Sequence, residues 1–460
     1  VLWKKYCKTF LGKALQLAVL HLTWCCSNTS MKVKQSTPIS AFGGLNFVFE
    51  YLNTLKIDQL LEKHLPPLAS QSNYTWRDIF YSFMSIYYCG GDCVEDLAIH
   101  LRNHLANNPF LEVPSPDTML RRIGGLCEEK QYIKTPRGTA SHAYCRNAIM
   151  ENLMIRLLKQ TGAFKATQNI LDYDNTIIFN EKLDSKMTYK KQPGYQPGVC
   201  LLNENHVLYV ENRGGNSDAK SFQSETLNHL FNLLKENGIP RMDYFRADAA
   251  SYQYEVVSLL VEKVKHFFVG CRNSYVEKYF TQIKDWQTVQ EGTFSFEVGE
   301  ISIVPFVNQA EKAGKKPQTF RLIVKRTPTP DGQLNLFTQD AFSYRGILTN
   351  CNDKTAIECA QFYYRRGIAE QQFDILKNDF GWNNLPFSAM EKNQVFLCFS
   401  AICRNLYNSI IVYFSERVPV LKPHYRLKKF TFRFIVMPAK WIRQARNNIL
   451  RVFATNLYPT

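Results

Sequence analysis

Apolar residues recur at spacings of three and four from Leu45 onward, through Phe47, Leu52, Leu55, Leu60 and Leu61, and this period predicts a helical region to about residue 161. Within it, 76–88 is a helix entered by Asn73 or Thr75 and closed by Gly90 and Gly91, and Asp92 or Asp96 opens the next. The Ser115-Pro116-Asp117 triplet caps a short helix bearing Arg121 and Arg122. From Asn169 the period changes to two. Residues 170–179 read as a strand, and 199–202 with 206–211 as a hairpin across Asn203-Glu204-Asn205. A helix over 217–237 follows, with Gly238 past its end, then a strand at 244–247, a helix at 251–263 and a strand at 266–271. Four more strands are expected at 293–298, 301–306, 320–325 and 342–348, before a helix over about 354–379.

Charge narrows the partner. The formal net charge is +16, which favours a polyanion, nucleic acid or a membrane surface, over an acidic protein. From Leu421 to the end there are nine Lys and Arg residues and no acidic one, interleaved with Tyr425, Phe430, Phe432, Phe434 and Trp441. Such a mixture can track a phosphate backbone, although aromatics of this kind also serve as core. The thirteen cysteines form neither a C-x-x-C pair nor a ligand-spaced cluster, so buried free thiols in a reducing compartment are expected. Lys4, Lys5 and Lys8 ahead of an apolar run to Trp24 mimic a secretory leader, but Met31 opens a plausible start, and residues 1–30 read as an upstream extension. No membrane span is assigned.

The most informative chemistry lies at YYRRGIAEQQFDILK. On a continuous helix Tyr363, Arg366, Glu370 and Lys377 fall within roughly 60° of one another. One carboxylate among phosphate-binding donors suits a metal held beside a polyanion; the plain alternative is a solvated helix with an Arg366–Glu370 pair. The pattern Y-(2)-R-(3)-E-(6)-K resembles the signature of cut-and-paste insertion-sequence transposases of the DDE class. That resemblance implies two upstream aspartates near strand ends of a ribonuclease H-like sheet, and the predicted order βββαβαβ is the order of such a sheet.

Asp172 and Asp174 alternate with Leu171 and Tyr173, so both carboxylates face one side of the first strand, at a cost unless metal or donors satisfy them. DYDNT resembles the first family motif, an aspartate followed two residues later by threonine, which makes Asp174 the ligand and Asp172 its neighbour. Asp248 in FRADAAS stands where a short strand meets a helix; by itself it reads as an N-cap, and the family order makes it the second carboxylate. Asp374, one turn past Glu370, competes on geometry, but the spacing to Tyr363, Arg366 and Lys377 favours Glu370.

The resemblance thus implies an α/β protein: a ribonuclease H-like catalytic core interrupted by a β-strand-rich insertion, with a helical N-terminal domain. The expected divisions are 1–30 extension, 31–161 helical DNA-binding domain, 162–271 first part of the core, 272–351 insertion, 352–415 second part of the core with the glutamate helix, and 416–460 basic segment. Asp174, Asp248 and Glu370 are the implied catalytic ligands of two Mg²⁺ or Mn²⁺ ions about 4 Å apart. Tyr363, Arg366, Lys377, Trp286 and Arg213 are candidate DNA contacts, Trp286 by stacking on an extruded base, along with the loop lysines 182, 186, 190 and 191. The implied activity is binding and cleavage of transposon ends in double-stranded DNA and joining of the 3′-hydroxyl to target DNA, by a homodimer acting in the bacterial cytoplasm on the nucleoid. Its rivals are a domesticated or inactive transposase-derived DNA-binding protein and a sequence-tolerant nuclease.

Overall fold

A computed structural model describes residues 39–134, 141–239, 241–292, 294–329, 332–335 and 338–453. The proposed extension 1–30 and the start at Met31 lie outside the described residues.

Helices come first. α1 (Gly44–Thr54), α2 (Ile57–His64) and α3 (Trp76–Tyr88) bury most of the residues that the three-and-four period marks; Phe47 stays exposed and Leu55, at the cap of α1, is half-buried. α3 begins in a capping box: Thr75 accepts from the Asp78 amide while the Asp78 carboxylate accepts from the Thr75 amide. α4 (Pro116–Gly124) starts with Ser115 as cap and proline in its first turn, so the SPD triplet works as its chemistry dictates.

The expectation of helix throughout 31–161 needs correction. Strands β1 (Gln131–Lys134) and β2 (Ser141–Cys145) precede α5 (Ala148–Gln160) and join the main sheet. That sheet continues with β3 (Ile170–Asn175), β4 (Gly198–Leu202), β5 (His206–Arg213), β6 (Met242–Ala247) and β7 (Val264–Gly270). The last four strands are β8 (Gln287–Glu291), β9 (Phe294–Ile303), β10 (Phe320–Pro328) and β11 (Phe342–Thr349). Their spatial order is β1-β2-β5-β4-β3-β6-β7-β11-β10-β9-β8. In the middle, β5, β4 and β3 are an antiparallel meander, while β6 and β7 run parallel to β3.

The parallel strands are joined by α6 (Gln223–Glu236) and α7 (Tyr254–Lys263), which bury Leu227, Leu230, Val256 and Leu260. The four strands read as an insertion extend the same sheet, because β11 pairs antiparallel with β7 through Phe268–Thr349, Val269–Leu348 and Gly270–Ile347. The two strands expected at 293–298 and 301–306 are one ten-residue strand, and the reversal falls earlier, at Gly292 with φ +60°.

The helix expected over 354–379 is two helices, α8 (Ala356–Tyr364) and α9 (Ile368–Asp379), separated by a 3₁₀ turn at Arg365–Gly367. α10 (Met390–Ser415) then packs across β5. It is long and apolar enough to cross a membrane, but 83% of that stretch is buried in the protein. Its buried amides also have fixed partners: Gln394 accepts from the Asn212 amide at 2.7 Å, and Asn405 accepts from the Val207 amide at 2.8 Å and donates to its carbonyl at 2.7 Å. These side chains satisfy backbone groups of β5 that no neighbouring strand reaches.

Near the end of the chain Phe430 and Phe434 are core, whereas Phe432 is exposed. A hairpin of 439–444 with 447–452 follows, bridging back to Ser40 just before α1. All ten cysteines among the described residues are free.

Candidate functional site

Strand register brings the two aspartates together. β3 and β6 are parallel, with Asp172 opposite Arg246 and Tyr173 opposite Ala247. One step further along the two chains stand Asp174 and Asp248, on neighbours that run ~4.8 Å apart. Asp248 does cap, its Oδ1 accepting from the Ala250 amide at 3.0 Å; capping and ligand roles are compatible because capping uses only that oxygen.

Asp174 accepts from the Asn175 amide at 2.8 Å on Oδ1 and from the Arg366 guanidinium at 2.8 Å on Oδ2. Burial pushes its carboxyl up to about 6; Arg366 opposes this, and the like charge of Asp248 adds to it. Two carboxylates facing one another in a partly desolvated cleft, only one of them held by an arginine, have the donor chemistry of a divalent-cation site.

Tyr363, at the end of α8, closes the cleft. Its hydroxyl lies against Gly270, where any Cβ would collide with it, and burial pushes that hydroxyl up to about 12, with Arg366 opposing and Asp248 adding. Asp174, Asp248, Tyr363 and Arg366 therefore form one electrostatically linked group.

The other sequence candidates lie elsewhere. Glu370 is exposed in the first turn of α9 and makes no side-chain hydrogen bond or ion pair among the described residues. Among the described residues no group of three or more His, Cys, Asp or Glu is drawn together around a metal position. The 3₁₀ turn breaks the regular 100° step between Arg366 and Glu370, and the pair anticipated between them is replaced by the Arg366–Asp174 bridge. Lys377 is half-buried with its amine pushed down by burial, and Asp374 opposing. Asp374 is taken by Arg426 at 2.6 Å, which leaves Glu370 as the free carboxylate of this helix.

One DNA-contact expectation is overturned by burial, and a second residue is engaged in packing. Arg213 is fully buried, bonded to Glu211 at 2.9 Å, the Tyr173 hydroxyl at 3.0 Å and Thr226 at 2.6 Å; a guanidinium without exposed surface cannot touch a phosphate. Trp286 donates to the Ile283 carbonyl at 3.1 Å, lies under Arg326 at 4.1 Å and meets the edge of Tyr344. Its ring is thus partly engaged in packing. The lysines at 186, 190 and 191 are exposed around a small three-stranded sheet beside the main one.

Sequence reasoning missed a second network. Arg246 is fully buried and grips Asp172 with both arms at 2.6 and 2.7 Å. It also bonds Glu204 at 3.0 Å and donates to the Phe362 carbonyl at 2.8 Å. Glu204 in turn holds Arg365 at 2.8 Å. The consecutive arginines of the 3₁₀ turn thus reach two different carboxylates, and Arg246 ties the end of α8 to the strands bearing the aspartates. A signal existed: Arg246 precedes Asp248 by two residues as Asp172 precedes Asp174, so parallel pairing sets arginine against aspartate.

The family described as transposase DDE domain group 1 matches residues 26–457. The chain belongs to that transposase family. No curated protein matches it in sequence. Among solved structures it is similar to a piggyBac transposase synaptic complex with hairpin DNA, at 13% identity, 85% of each chain covered and a TM-score of 0.38. It is also similar to a Mos1 transposase paired-end complex with the left transposon end, at 13% identity, with 56% of this chain and 66% of that one covered and a TM-score of 0.17.

Proposed function

We propose that this chain is a DNA transposase that binds the inverted repeats of its element, hydrolyses the phosphodiester at each end and joins the freed 3′-hydroxyl to target DNA. The carrying observation is the register that sets Asp174 beside Asp248 with Arg366 and Tyr363 on the same cleft. The meander of β5, β4 and β3 followed by the parallel β6 and β7 supports reading the core as ribonuclease H-like.

Asp174 and Asp248 are the residues that would hold Mg²⁺ or Mn²⁺, with Glu370 from α9 completing the set when DNA is engaged and two ions expected. A bound cation supplies neutralisation of the carboxylates and of the charge that builds on the phosphodiester. Arg366 then transfers its hydrogen bond from Asp174 to a phosphate oxygen, and the Tyr363 hydroxyl, kept protonated, donates to the same group. Lys377 serves as a further cation towards the backbone. A homodimer would hold two ends together, and the protein would act in the cytoplasm on the nucleoid.

The rival is a transposase-derived DNA-binding protein that no longer cuts. It draws on Arg366 occupying an oxygen of Asp174 and on Glu370 standing apart. Incubating the purified protein with duplexes carrying the flanking inverted repeats, with Mg²⁺ or with chelator, separates the readings. Metal-dependent cleavage at the repeat ends supports the transposase, intact DNA under demonstrated binding supports the rival, and equal cleavage of unrelated duplexes identifies a sequence-tolerant nuclease.

A further inference from the structure

A cavity of about 230 Å³ opens where β3 begins, at the far end of that strand from Asp174. Lys165, Lys354 and Arg365 converge on it, Gln168 and Asn203 line its rim, and Tyr244 and Phe362 form its floor. Its charge is unbalanced. Glu204, the acid in its wall, is matched by Arg246 and Arg365, and Arg246 is matched again by Asp172, so two acids and two arginines cancel. Lys165 and Lys354 remain, and neither makes an ion pair among the described residues.

The lysines are not equivalent. Lys165 is exposed, while the Lys354 ammonium is held over the Tyr244 and Phe362 rings at 5.5 and 5.7 Å, which fixes its direction before anything binds. Gln168 is exposed, its side-chain amide makes no hydrogen bond among the described residues, and its backbone is left-handed at φ +63°. The positive φ of Asn203 and Glu204, +51° and +70°, is that of the turn joining β4 to β5. Asn203, by contrast, spends its amide internally, on the Ile170 amide and the Ala163 carbonyl, and holds the rim in shape.

We infer that this cavity is a phosphate-binding subsite that grips the DNA backbone away from the scissile bond; the assignment to DNA rests on the transposase reading above. Two ammonium groups without an ion pair, beside the Arg365 guanidinium and the Gln168 amide, match a singly charged, oxygen-rich group. The floor aromatics are turned to Lys354 rather than left open for a base. From Ile170 to Asp174 the strand spans roughly 13 Å at ~3.3 Å per residue, so a DNA backbone passing over the Arg365–Arg366 turn would meet the cavity about four phosphate steps of 3.4 Å from the carboxylate pair. Arg365 and Arg366, adjacent in the 3₁₀ turn, then serve one phosphate position each.

The same chemistry would accept a small phosphate compound, and the test separates the two sources. Binding of the inverted-repeat duplex is measured in chelator across a range of salt for the wild type, Lys165→Ala with Lys354→Ala, and Lys354→Arg in an otherwise native chain. The double variant should lose about tenfold in affinity at 0.15 M salt and about one to two from the slope of log K on log salt, with unchanged melting temperature, and Lys354→Arg should keep both. Unchanged affinity and slope in the folded double variant overturns the proposal. In a second arm, inorganic phosphate should raise the melting temperature of the wild type and not of the double variant. That result together with undiminished DNA binding reassigns the cavity to a free phosphate compound and overturns the DNA assignment. If the wild type binds no duplex at all, the transposase reading fails, and the DNA assignment with it, while the phosphate arm alone still decides whether the cavity takes an anion.

Discussion

Asp172 and Asp174 sit two residues apart on one face of one strand, yet the protein uses them in opposite ways. Asp172 is 2% exposed and held by both arms of Arg246, whose own charge is shared with Glu204. Asp174 lies at the open end of β3, keeps one hydrogen bond to Arg366, and faces Asp248. The closed end carries a charge network with every member partnered; the open end carries a carboxylate pair left in excess of its cations. Burial with full pairing makes structure, and burial with incomplete pairing stores an affinity for a cation.

The largest expected effect breaks the open end only. Asp174→Asn and Asp248→Asn should each lower end cleavage by about 10³-fold or more, which is ~4 kcal/mol of barrier. Glu370→Ala should do the same, although no contact now links it to the pair. Unfolding free energy in chelator at pH 8 should rise by up to about 3 kcal/mol in Asp174→Asn, at ~1.4 kcal/mol for each unit by which the carboxyl is raised. Its carboxyl is raised to about 6, so above that pH the folded state bears the cost of ionisation that asparagine removes. Full cleavage by any of the three would show that the metal site has been misplaced.

At the closed end the order of effects should reverse. Arg246→Met leaves Asp172 buried without its partner and Glu204 with Arg365 alone, and should cost about 3–5 kcal/mol in urea unfolding. Arg246→Met with Asp172→Leu removes both charges and should recover a good part of that loss. If the double variant is as unstable as the single, the network acts through the Phe362 carbonyl and α8 rather than through charge balance.

How far the sequence reveals this contrast depends on the range of each signal. The Thr75 box, the Ser115-Pro116 start and the hairpin across Asn203 and Glu204 are local, with capping groups and turn residues adjacent in the chain, and each was legible. The antiparallel join of β7 to β11 links residues about eighty positions apart, and nothing in either strand names its partner. Short, mostly polar strands such as 131–134 carry no period long enough to compete with the helical text around them. At the site, Asp174 and Asp248 were legible through motif order. The buried fate of Arg213 was not, because an arginine following an alternating strand looks the same whether it ends in solvent or against Glu211. Gly367 was a visible interruption in the helical pattern, and the structure uses it to close the 3₁₀ turn that separates Arg366 from Glu370.

A third prediction extends the rule for the closed end to a residue with no counter-charge. His206 opens β5, largely buried, with Nδ1 unpartnered; burial and then the neighbouring Arg404 push its imidazole down to about 4. The unfolded chain takes up a proton near pH 6.5 and the folded one near 4, so stability is lost as pH falls through that window, by up to about 3 kcal/mol. Urea unfolding of the wild type and His206→Gln at pH 7 and pH 4.5 checks it. Equal acid sensitivity in the two proteins would place the loss on other groups.

The smallest effect concerns Asp374, the carboxylate that competes with Glu370 on helical geometry. Asp374 belongs to an exposed bridge with Arg426, which also bonds Asp379 at 2.9 Å, so its charge is already answered and half its surface faces water. An exposed pair of this kind contributes ~0–1 kcal/mol, and here the second acid keeps Arg426 in place when the first is removed. Asp374→Asn should therefore shift urea unfolding by less than about 1 kcal/mol and leave cleavage within about twofold of wild type. Glu370 has no such partner, and nothing in the fold explains a solitary acid at that point of α9 beyond its place in the first helical turn, where the backbone amides favour negative charge. If Asp374→Asn abolished cleavage while Glu370→Ala retained it, the ligand helix would be rotated by one turn, and the Arg426 bridge would be a resting partner that the metal displaces.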